Sequence, residues 1–351
     1  MLFFQNDYGQ GCIPEIMDIM VRTRENSYKG YETDEQCQLA RELIRAQMPS
    51  KDVDVHFIMG GTLANLTMIR SVLRSYEAVV ACDTGHINVH EAGSVEATGH
   101  KVIAVPHVNG KLTAKAVRKV FDDSMLQYGH MAYPKLVYIS NSTEVGTVYT
   151  REELESLREV CDELNMYLMM DGARLGAALM SGVDYTLDDI AKWCDLFYIG
   201  GTKNGALLGE AIVITNEDLK KNFIFVMKQS GALAAKGWIL GQQFIGLFQD
   251  NAFFTVAKRE VEYAQQIQTI ANELKYPLYI RSSTNQIFIL VSEDEFSYLR
   301  DQVAFEVWEK LESGYVIRFV TSWHTTQKEV DQLSIYLKQA KLLGNLDDPT
   351  Y

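Results

Sequence analysis

Residues 166–174, MYLMMDGAR, and residues 195–205, DLFYIGGTKNG, decide the fold of this chain. Each stretch begins as an almost continuous apolar run and then changes abruptly into glycine and charged residues. Such runs are typical of strands that are buried on both faces of a mostly parallel sheet. Because ligands bind beyond the carboxyl ends of the strands in such a sheet, Asp171 and Lys203 are predicted to lie at a ligand site.

The same alternation of apolar runs and helical patterns extends over about residues 50 to 215. The apolar runs cover residues 53–59, 78–83, 102–105, 136–141, 166–171, 195–199 and 211–215. Thr150 and Glu153 have the spacing of a capping box, which predicts the start of a helix between two of these runs. This region is therefore predicted to be a doubly wound α/β domain with a mostly parallel seven-stranded sheet.

The pattern changes near residue 236. A long helical region, three short strand candidates and a last amphipathic helix follow, at residues 256–274, 278–280, 286–291, 315–320 and 327–342. The chain is therefore predicted to have three parts: an N-terminal segment (1–30), a large domain (31–240) and a small C-terminal α+β domain (241–351).

Composition and charge exclude several classes of protein. The chain has 351 residues, and its 33 Lys and Arg against 46 Asp and Glu give a net charge of −13. An acidic surface repels phosphate backbones, so a nucleic-acid partner is not expected. No apolar run approaches the roughly 20 residues of a membrane span, and the first residues lack the pattern of a signal peptide. Five scattered cysteines are a poor disulfide framework, so we expect a cytoplasmic protein.

Three features at the ends of the predicted strands carry chemistry. Gly60, Gly61 and Thr62 precede a helical pattern and offer N–H groups and a hydroxyl to a phosphate, although a plain turn would also use glycines. Asp171 suits a cationic ligand group or a helix cap. Lys203 is flanked by glycines and can be desolvated into a nucleophile, although a lone loop lysine is usually solvated. Together the three features are what pyridoxal phosphate (PLP) requires of a protein.

The motifs around these residues resemble those of a known family. They are GGTLAN (60–65), GHINVHEAG (85–93), STEVGTVYT (142–150), MMDGARLGAAL (169–179), GGTKNGALLGEAIV (200–213) and IRFVTSW (317–323). Over nearly its whole length the chain resembles the low-specificity threonine aldolase and β-eliminating lyase family of fold-type-I PLP enzymes, closest to the phenylserine-aldolase-like branch. The resemblance implies the PLP-dependent transferase-like fold of aspartate aminotransferase, with PLP as the cofactor.

The resemblance also implies roles for individual residues around the cofactor. Lys203 would form the Schiff base with PLP, and Asp171 would keep the pyridine nitrogen protonated. Gly60, Gly61 and Thr62 would hold the phosphate.

Four further residues are implied on the substrate side. Arg174 and Arg318 match arginines that engage the cofactor or the substrate carboxylate, and a planar guanidinium is well suited to a carboxylate. Asn6 replaces a serine that contacts the substrate carboxylate in the family. Tyr31 is a further candidate for the pocket.

His86 and Glu144 each have more than one interpretation. His86 matches the imidazole that stacks on the cofactor ring, but it is also spaced from His90 like a metal ligand on a helix. No HExxH motif supports a metal, and we predict none. Glu144 stands where many threonine aldolases have histidine. It could accept the proton of the substrate β-hydroxyl, directly or through water, or it could simply order the turn.

The implied function is the cleavage of β-hydroxy-α-amino acids such as threonine, allo-threonine or phenylserine to glycine and an aldehyde. Lys203, His86 and Glu144 are the candidate catalytic residues. Two alternatives stay open: a β-eliminating lyase that uses the same site, and a non-catalytic protein that keeps the fold as a binding module or scaffold. The resemblance also implies a homodimer or homotetramer with shared active sites, in which Lys228 or Lys236 could approach a neighbouring subunit's phosphate.

Overall fold

The computed structural model describes residues 1–344 and contains three sheets. The strands are β1 (Leu2–Phe3), β2 (Asp54–Ile58), β3 (Glu77–Cys82), β4 (Lys101–Val105), β5 (Tyr133–Ser140), β6 (Tyr167–Asp171), β7 (Leu196–Gly200), β8 (Glu210–Ile214), β9 (Leu278–Ile280), β10 (Gln286–Val291), β11 (Val303–Ala304), β12 (Glu306–Leu311) and β13 (Gly314–Val320).

The helices lie between and after the strands. They are α1 (Pro14–Thr23), α2 (Glu35–Arg45), α3 (Gly61–Val72), α4 (His86–Val89), α5 (Ser94–Ala97), α6 (Ala114–Leu126), α7 (Arg151–Glu163), α8 (Leu175–Leu179), α9 (Leu187–Trp193), α10 (Glu217–Lys220), α11 (Phe223–Gln229), α12 (Trp238–Phe248), α13 (Ala252–Glu273), α14 (Glu293–Gln302) and α15 (Gln327–Gly344). The predicted capping box at Thr150 is present at the start of α7.

The large sheet has seven strands in the order β2-β8-β7-β6-β5-β3-β4. Strands β3 to β7 pair in parallel, whereas β8 runs antiparallel to both β7 and β2. This confirms the predicted α/β class and the mostly parallel sheet.

Both faces of this sheet are buried, as the continuous apolar runs predict. In β6, Leu168 and Met170 belong to the core that includes side chains of α7 and α12. Met169, between them, belongs to the opposite core with side chains of α3 and α11. Successive strand residues point to opposite faces, so a strand between two helical layers needs apolar residues at every position.

The C-terminal part of the chain forms a second layer. An antiparallel sheet in the order β12-β13-β10-β9 packs with α13, α14 and α15 around a third core. The N-terminal Phe4 is buried in this core, and its backbone bonds to Ala304 and Val320. The chain segment after Phe4 is therefore held against the C-terminal sheet.

Two properties of the described chain bear on the other predictions. Among residues 1–344, none of the helices has the length and apolar character needed to cross a membrane. All five cysteines are free and buried. The division into residues 1–30, 31–240 and 241–351 stays a prediction, and residues 345–351 lie outside the described residues.

Candidate functional site

A cavity of about 390 Å³ opens at the carboxyl ends of the parallel strands. Among its lining residues are the predicted Gly60, Gly61, Thr62, His86, Glu144, Asp171, Arg174 and Lys203. An adjoining cavity of about 260 Å³ shares His86, Glu144, Arg174 and Lys203 and adds Glu306, Trp308 and Arg318. Residues that are far apart in the sequence are therefore brought to one place.

Helix α3 points its N-terminus at the larger cavity. Gly60 is its N-cap residue and makes no side-chain capping bond, so the first N–H groups of the helix are available to a ligand. Gly60, Gly61 and Thr62 all line the cavity. A helix N-terminus with free N–H groups and a positive dipole end favours a phosphate. A Cβ on Gly61 would lie 3.0 Å from the Tyr198 hydroxyl, so a side chain there would press on that tyrosine.

Asp171, at the end of β6, is buried in a network of donors. Its Oδ2 accepts hydrogen bonds from Tyr138 Oη at 2.7 Å and Asn65 Nδ2 at 2.8 Å. Its Oδ1 accepts from Tyr198 Oη and from the Ala173 N–H. Burial disfavours the charged carboxylate, but His86 and these donors outweigh it and leave the pKa of Asp171 lowered. The site therefore contains a fixed anion.

Lys203 lies in the loop after β7, with its side chain in both cavities. The loop folds tightly: Gly201 and Thr202 both donate backbone N–H bonds to the Gly209 carbonyl. A Cβ on Gly201 would lie 2.6 Å from that carbonyl oxygen, which explains the glycine. Burial, followed by the charge of Arg174, lowers the pKa of the Lys203 amine. A lowered pKa increases the fraction of neutral, nucleophilic amine.

His86 is held by Glu91, a residue to which sequence analysis assigned no role. His86 Nδ1 lies 2.7 Å from Glu91 Oε1, which also accepts a bond from Asn65 Nδ2. Burial opposes protonation of His86, but Glu91 and Asp171 raise its pKa overall. The ligand atoms of His86, Glu91 and Asp171 lie within 4.8 Å of one another, yet the oxygens involved already accept hydrogen bonds. The signal for Glu91 was its place in GHINVHEAG, five residues after His86.

Glu144 lies beside His86. Its Oε1 accepts hydrogen bonds from the His86 backbone N–H at 2.9 Å and from Ser140 Oγ at 2.6 Å. Its Oε2 is buried without a partner. Burial raises the pKa of this carboxyl, although the bond from Ser140 works against the increase. Hydrogen bonds to Oε1 therefore hold the carboxyl in place, and Oε2 is free to accept a proton.

Both predicted arginines are ion-paired. Arg174 donates through Nε and Nη2 to Asp7, at 2.7 and 3.1 Å, and Asp7 is fully buried. Arg318, on β13, is paired with Glu306 on β12. Asp7 and Glu306 are further site residues to which sequence analysis assigned no role.

Two predicted substrate-binding residues, Asn6 and Tyr31, line neither cavity of this chain. Asn6 uses its side-chain oxygen to accept the Tyr8 N–H at 3.1 Å, which closes a local turn and leaves Tyr8 in the cavity instead. Tyr31 is exposed, and Lys228 Nζ lies 4.4 Å from the centre of its ring. Lys236 also lies outside both cavities.

The residues present fit pyridoxal phosphate. A free helix N-terminus suits the phosphate, the ionised Asp171 suits a protonated ring nitrogen, and the buried Lys203 suits the carbonyl carbon. The three lie around one cavity. The fold and the site thus define a PLP-dependent enzyme of fold type I.

Comparison with known proteins agrees with this class. The family description "Beta-eliminating lyase" matches residues 10–294, and the chain belongs to that family. A low-specificity L-threonine aldolase of Pseudomonas sp. (strain NCIMB 10558) is 31% identical over 339 residues, covering 94% of this chain and 95% of the relative. PLP is the cofactor of this protein.

Solved structures give the same result. The Leishmania major threonine aldolase superposes with a TM-score of 0.95 at 42% identity, covering 97% of this chain and 100% of that chain. A Thermus thermophilus aspartate aminotransferase has a TM-score of 0.72 at 14% identity, over 97% of this chain and 91% of its own. The second likeness confirms the predicted fold alone.

Proposed function

We propose that this protein cleaves β-hydroxy-α-amino acids of the threonine type to glycine and an aldehyde. The observation that carries the proposal is the convergence of Lys203, Asp171 and the α3 N-terminus on one cavity, beside the buried carboxyl of Glu144. The names of the Pseudomonas and Leishmania relatives support the same reaction.

When bound, PLP supplies a carbonyl for the substrate amine and a conjugated cationic ring that accepts the electron pair of the breaking Cα–Cβ bond. Lys203 would hold the cofactor through its buried amine, whose lowered pKa leaves a larger neutral, nucleophilic fraction. Asp171 is ionised and fits the task of holding a proton on the ring nitrogen. Arg318 presents a guanidinium to the substrate carboxylate, which orients the bond to be broken.

The β-hydroxyl must lose its proton as the Cα–Cβ bond breaks. Glu144 is the group we assign to accept it, because its Oε2 is buried without a partner. The raised pKa of Glu144 suits this role, because a general base is most effective when its pKa lies near the working pH. His86 is the rival base, and its ring is already tied to Glu91 through Nδ1.

The experiment that tests the proposed function is a product analysis of the purified, PLP-loaded protein. Threonine, allo-threonine and phenylserine should each be offered, and aldehyde, glycine, pyruvate and ammonia should be measured. Aldehyde in equal amount to glycine supports the aldolase. Pyruvate and ammonia would assign β-elimination instead, and a PLP-loaded protein with no product from any of them would favour the non-catalytic alternative.

Replacing Glu144 by Gln should lower kcat about 10²- to 10³-fold with little change in KM. The amide keeps the shape and can still accept from the His86 N–H and Ser140, but it cannot take a proton. A base works only when deprotonated, so the activity of the parent enzyme should fall as pH decreases through the raised pKa of Glu144. The pH profile of kcat is the measurement.

His86→Phe serves as the comparison for this prediction, because phenylalanine keeps an aromatic ring at the position. If His86→Phe abolishes the acidic limb of the profile while Glu144→Gln keeps it, the base is His86 and not Glu144.

We further propose a cytoplasmic homodimer or homotetramer in which subunits share active sites. The exposed Tyr31 and Lys228 pair supports this arrangement. The resemblance implies Tyr31 in the substrate pocket and Lys228 near a phosphate, but both lie outside the cavities of their own chain. Light scattering after size-exclusion chromatography measures the assembly. A monomer with full activity would contradict the proposal.

A further inference from the structure

One edge of the Arg318 guanidinium, formed by Nε and Nη2, is only partly hydrogen-bonded. Its Nη1 donates to Gln286 Oε1 at 2.9 Å, and its Nη2 donates to Glu306. Its Nε is buried and has no partner. Nε and Nη2 form the edge of a guanidinium that binds a carboxylate through two parallel bonds. Glu306 therefore accepts from only one of the two donors, Nη2, and leaves Nε without a partner.

The position of Glu306 in the sheet explains how it reaches this edge. Glu306 and Arg318 are directly paired in the antiparallel ladder between β12 and β13, so their side chains project from the same face. Trp308 lies against the same guanidinium, with its ring centre 5.4 Å from Arg318 Cζ. All three residues line the smaller cavity with Lys203.

The two arginine pairs of the site differ in how firmly they are held. Asp7 is fully buried, binds Arg174 through both oxygens and also accepts a bond from Asn285 at 3.0 Å. The Glu306 side chain, by contrast, is 40% exposed while Arg318 is 8% exposed. Glu306 lies on an edge strand of its sheet. The Glu306 side chain can rotate into the solvent, whereas the buried Asp7 side chain cannot.

We propose that Glu306 is a placeholder for the carboxylate of the amino acid on Arg318. An amino acid displaces it and takes both Nε and Nη2, so substrate binding exchanges one carboxylate for another. In the free enzyme, Glu306 keeps the buried guanidinium of Arg318 paired, because an unpaired buried charge would be costly. Competition from Glu306 also weakens the binding of every ligand that presents a carboxylate to Arg318. This inference rests on the proposed function, because glycine is then a ligand of the site.

The test is the dissociation constant of glycine, measured from the absorption change of the bound cofactor in the PLP-loaded protein. Glu306→Gln should bind glycine about two- to tenfold more tightly, since the competing charge is gone. Glycinamide, which has no carboxylate, should bind both proteins equally. Glu309→Gln removes a charge from the exposed side of the same strand and should leave both constants unchanged.

Each other outcome is decisive. Unchanged or weaker glycine binding in Glu306→Gln would overturn the inference, because Glu306 would then orient Arg318 rather than compete for it. An equal gain for glycine and glycinamide would overturn it as a general charge effect. If Glu306→Gln does not fold, Glu306→Asp, whose shorter side chain reaches Arg318 less well, should give the same direction of change. A parent enzyme that does not bind glycine would overturn the proposed function and the inference together, whereas a binding parent without a gain overturns only the inference.

Discussion

Replacing Lys203 by Ala should abolish the yellow colour of the PLP-loaded protein and lower aldehyde release at least about 10³-fold. The loop after β7 places this amine in both cavities, and burial with the charge of Arg174 lowers its pKa. Among residues 1–344, it is the one lysine that lines either of these cavities. No other lysine among residues 1–344 is therefore placed by its own chain to replace it.

Absorption spectroscopy, an aldehyde assay and peptide mapping after borohydride reduction measure this prediction. Reduction should fix the cofactor on the peptide that contains Lys203. Lys119→Ala is the matched control, because Lys119 lies on α6 with its side chain 74% exposed and should behave as the parent. Cofactor found on another lysine, or activity within tenfold of the parent in Lys203→Ala, would reject the assignment of Lys203 as the nucleophile.

The inner strands of the large sheet, such as β6 and β7, could be predicted from the sequence because they are buried on both faces. The run at residues 166–171 corresponds to β6, and the run at 195–199 to β7, each within a residue at the ends. In these strands each residue from Tyr167 to Met170 and from Leu196 to Ile199 contributes to one of two cores, so the apolar signal is continuous. Glycine and charge at the strand ends then pointed to the site.

Strand β12 could not be predicted in the same way. Its sequence, EVWEKL, contains three charged residues, and none of its residues is buried. Because no residue of this strand is buried, neither of its faces requires apolar side chains. The sequence therefore predicted no role for Glu306, whereas its partner Arg318 lies on the buried β13 and was predicted as a site residue.

Asp7 was beyond prediction for a different reason. Its partner Arg174 is 167 residues away in the sequence, and the contact exists only because β1 and Phe4 are held against the C-terminal layer. The neighbouring Asn6 was expected in the pocket by resemblance, but its side chain closes a turn on Tyr8. Contacts that depend on packing between distant segments leave no periodic signal in one sequence.

Replacing Asp171 by Asn should lower kcat about 10²- to 10³-fold while the protein still binds PLP. The lowered pKa of Asp171 means that an anion faces the cofactor site, held there by Tyr138, Tyr198 and Asn65. The neutral amide cannot hold a proton on the ring nitrogen. The ring then accepts electrons less well, and kcat should fall more than the affinity for substrate.

The amide also disturbs the network, since its NH₂ group would face donors, and this must be separated from the loss of charge. Tyr138→Phe removes one donor and keeps the carboxylate, so its kcat should stay within about tenfold of the parent. Reconstitution with N-methylated PLP, whose ring nitrogen carries a permanent positive charge, provides the second comparison. It should restore a large part of the activity of Asp171→Asn, because the charge no longer depends on the protein. Equal losses in Tyr138→Phe and Asp171→Asn, without restoration by N-methylated PLP, would assign to Asp171 a structural role only.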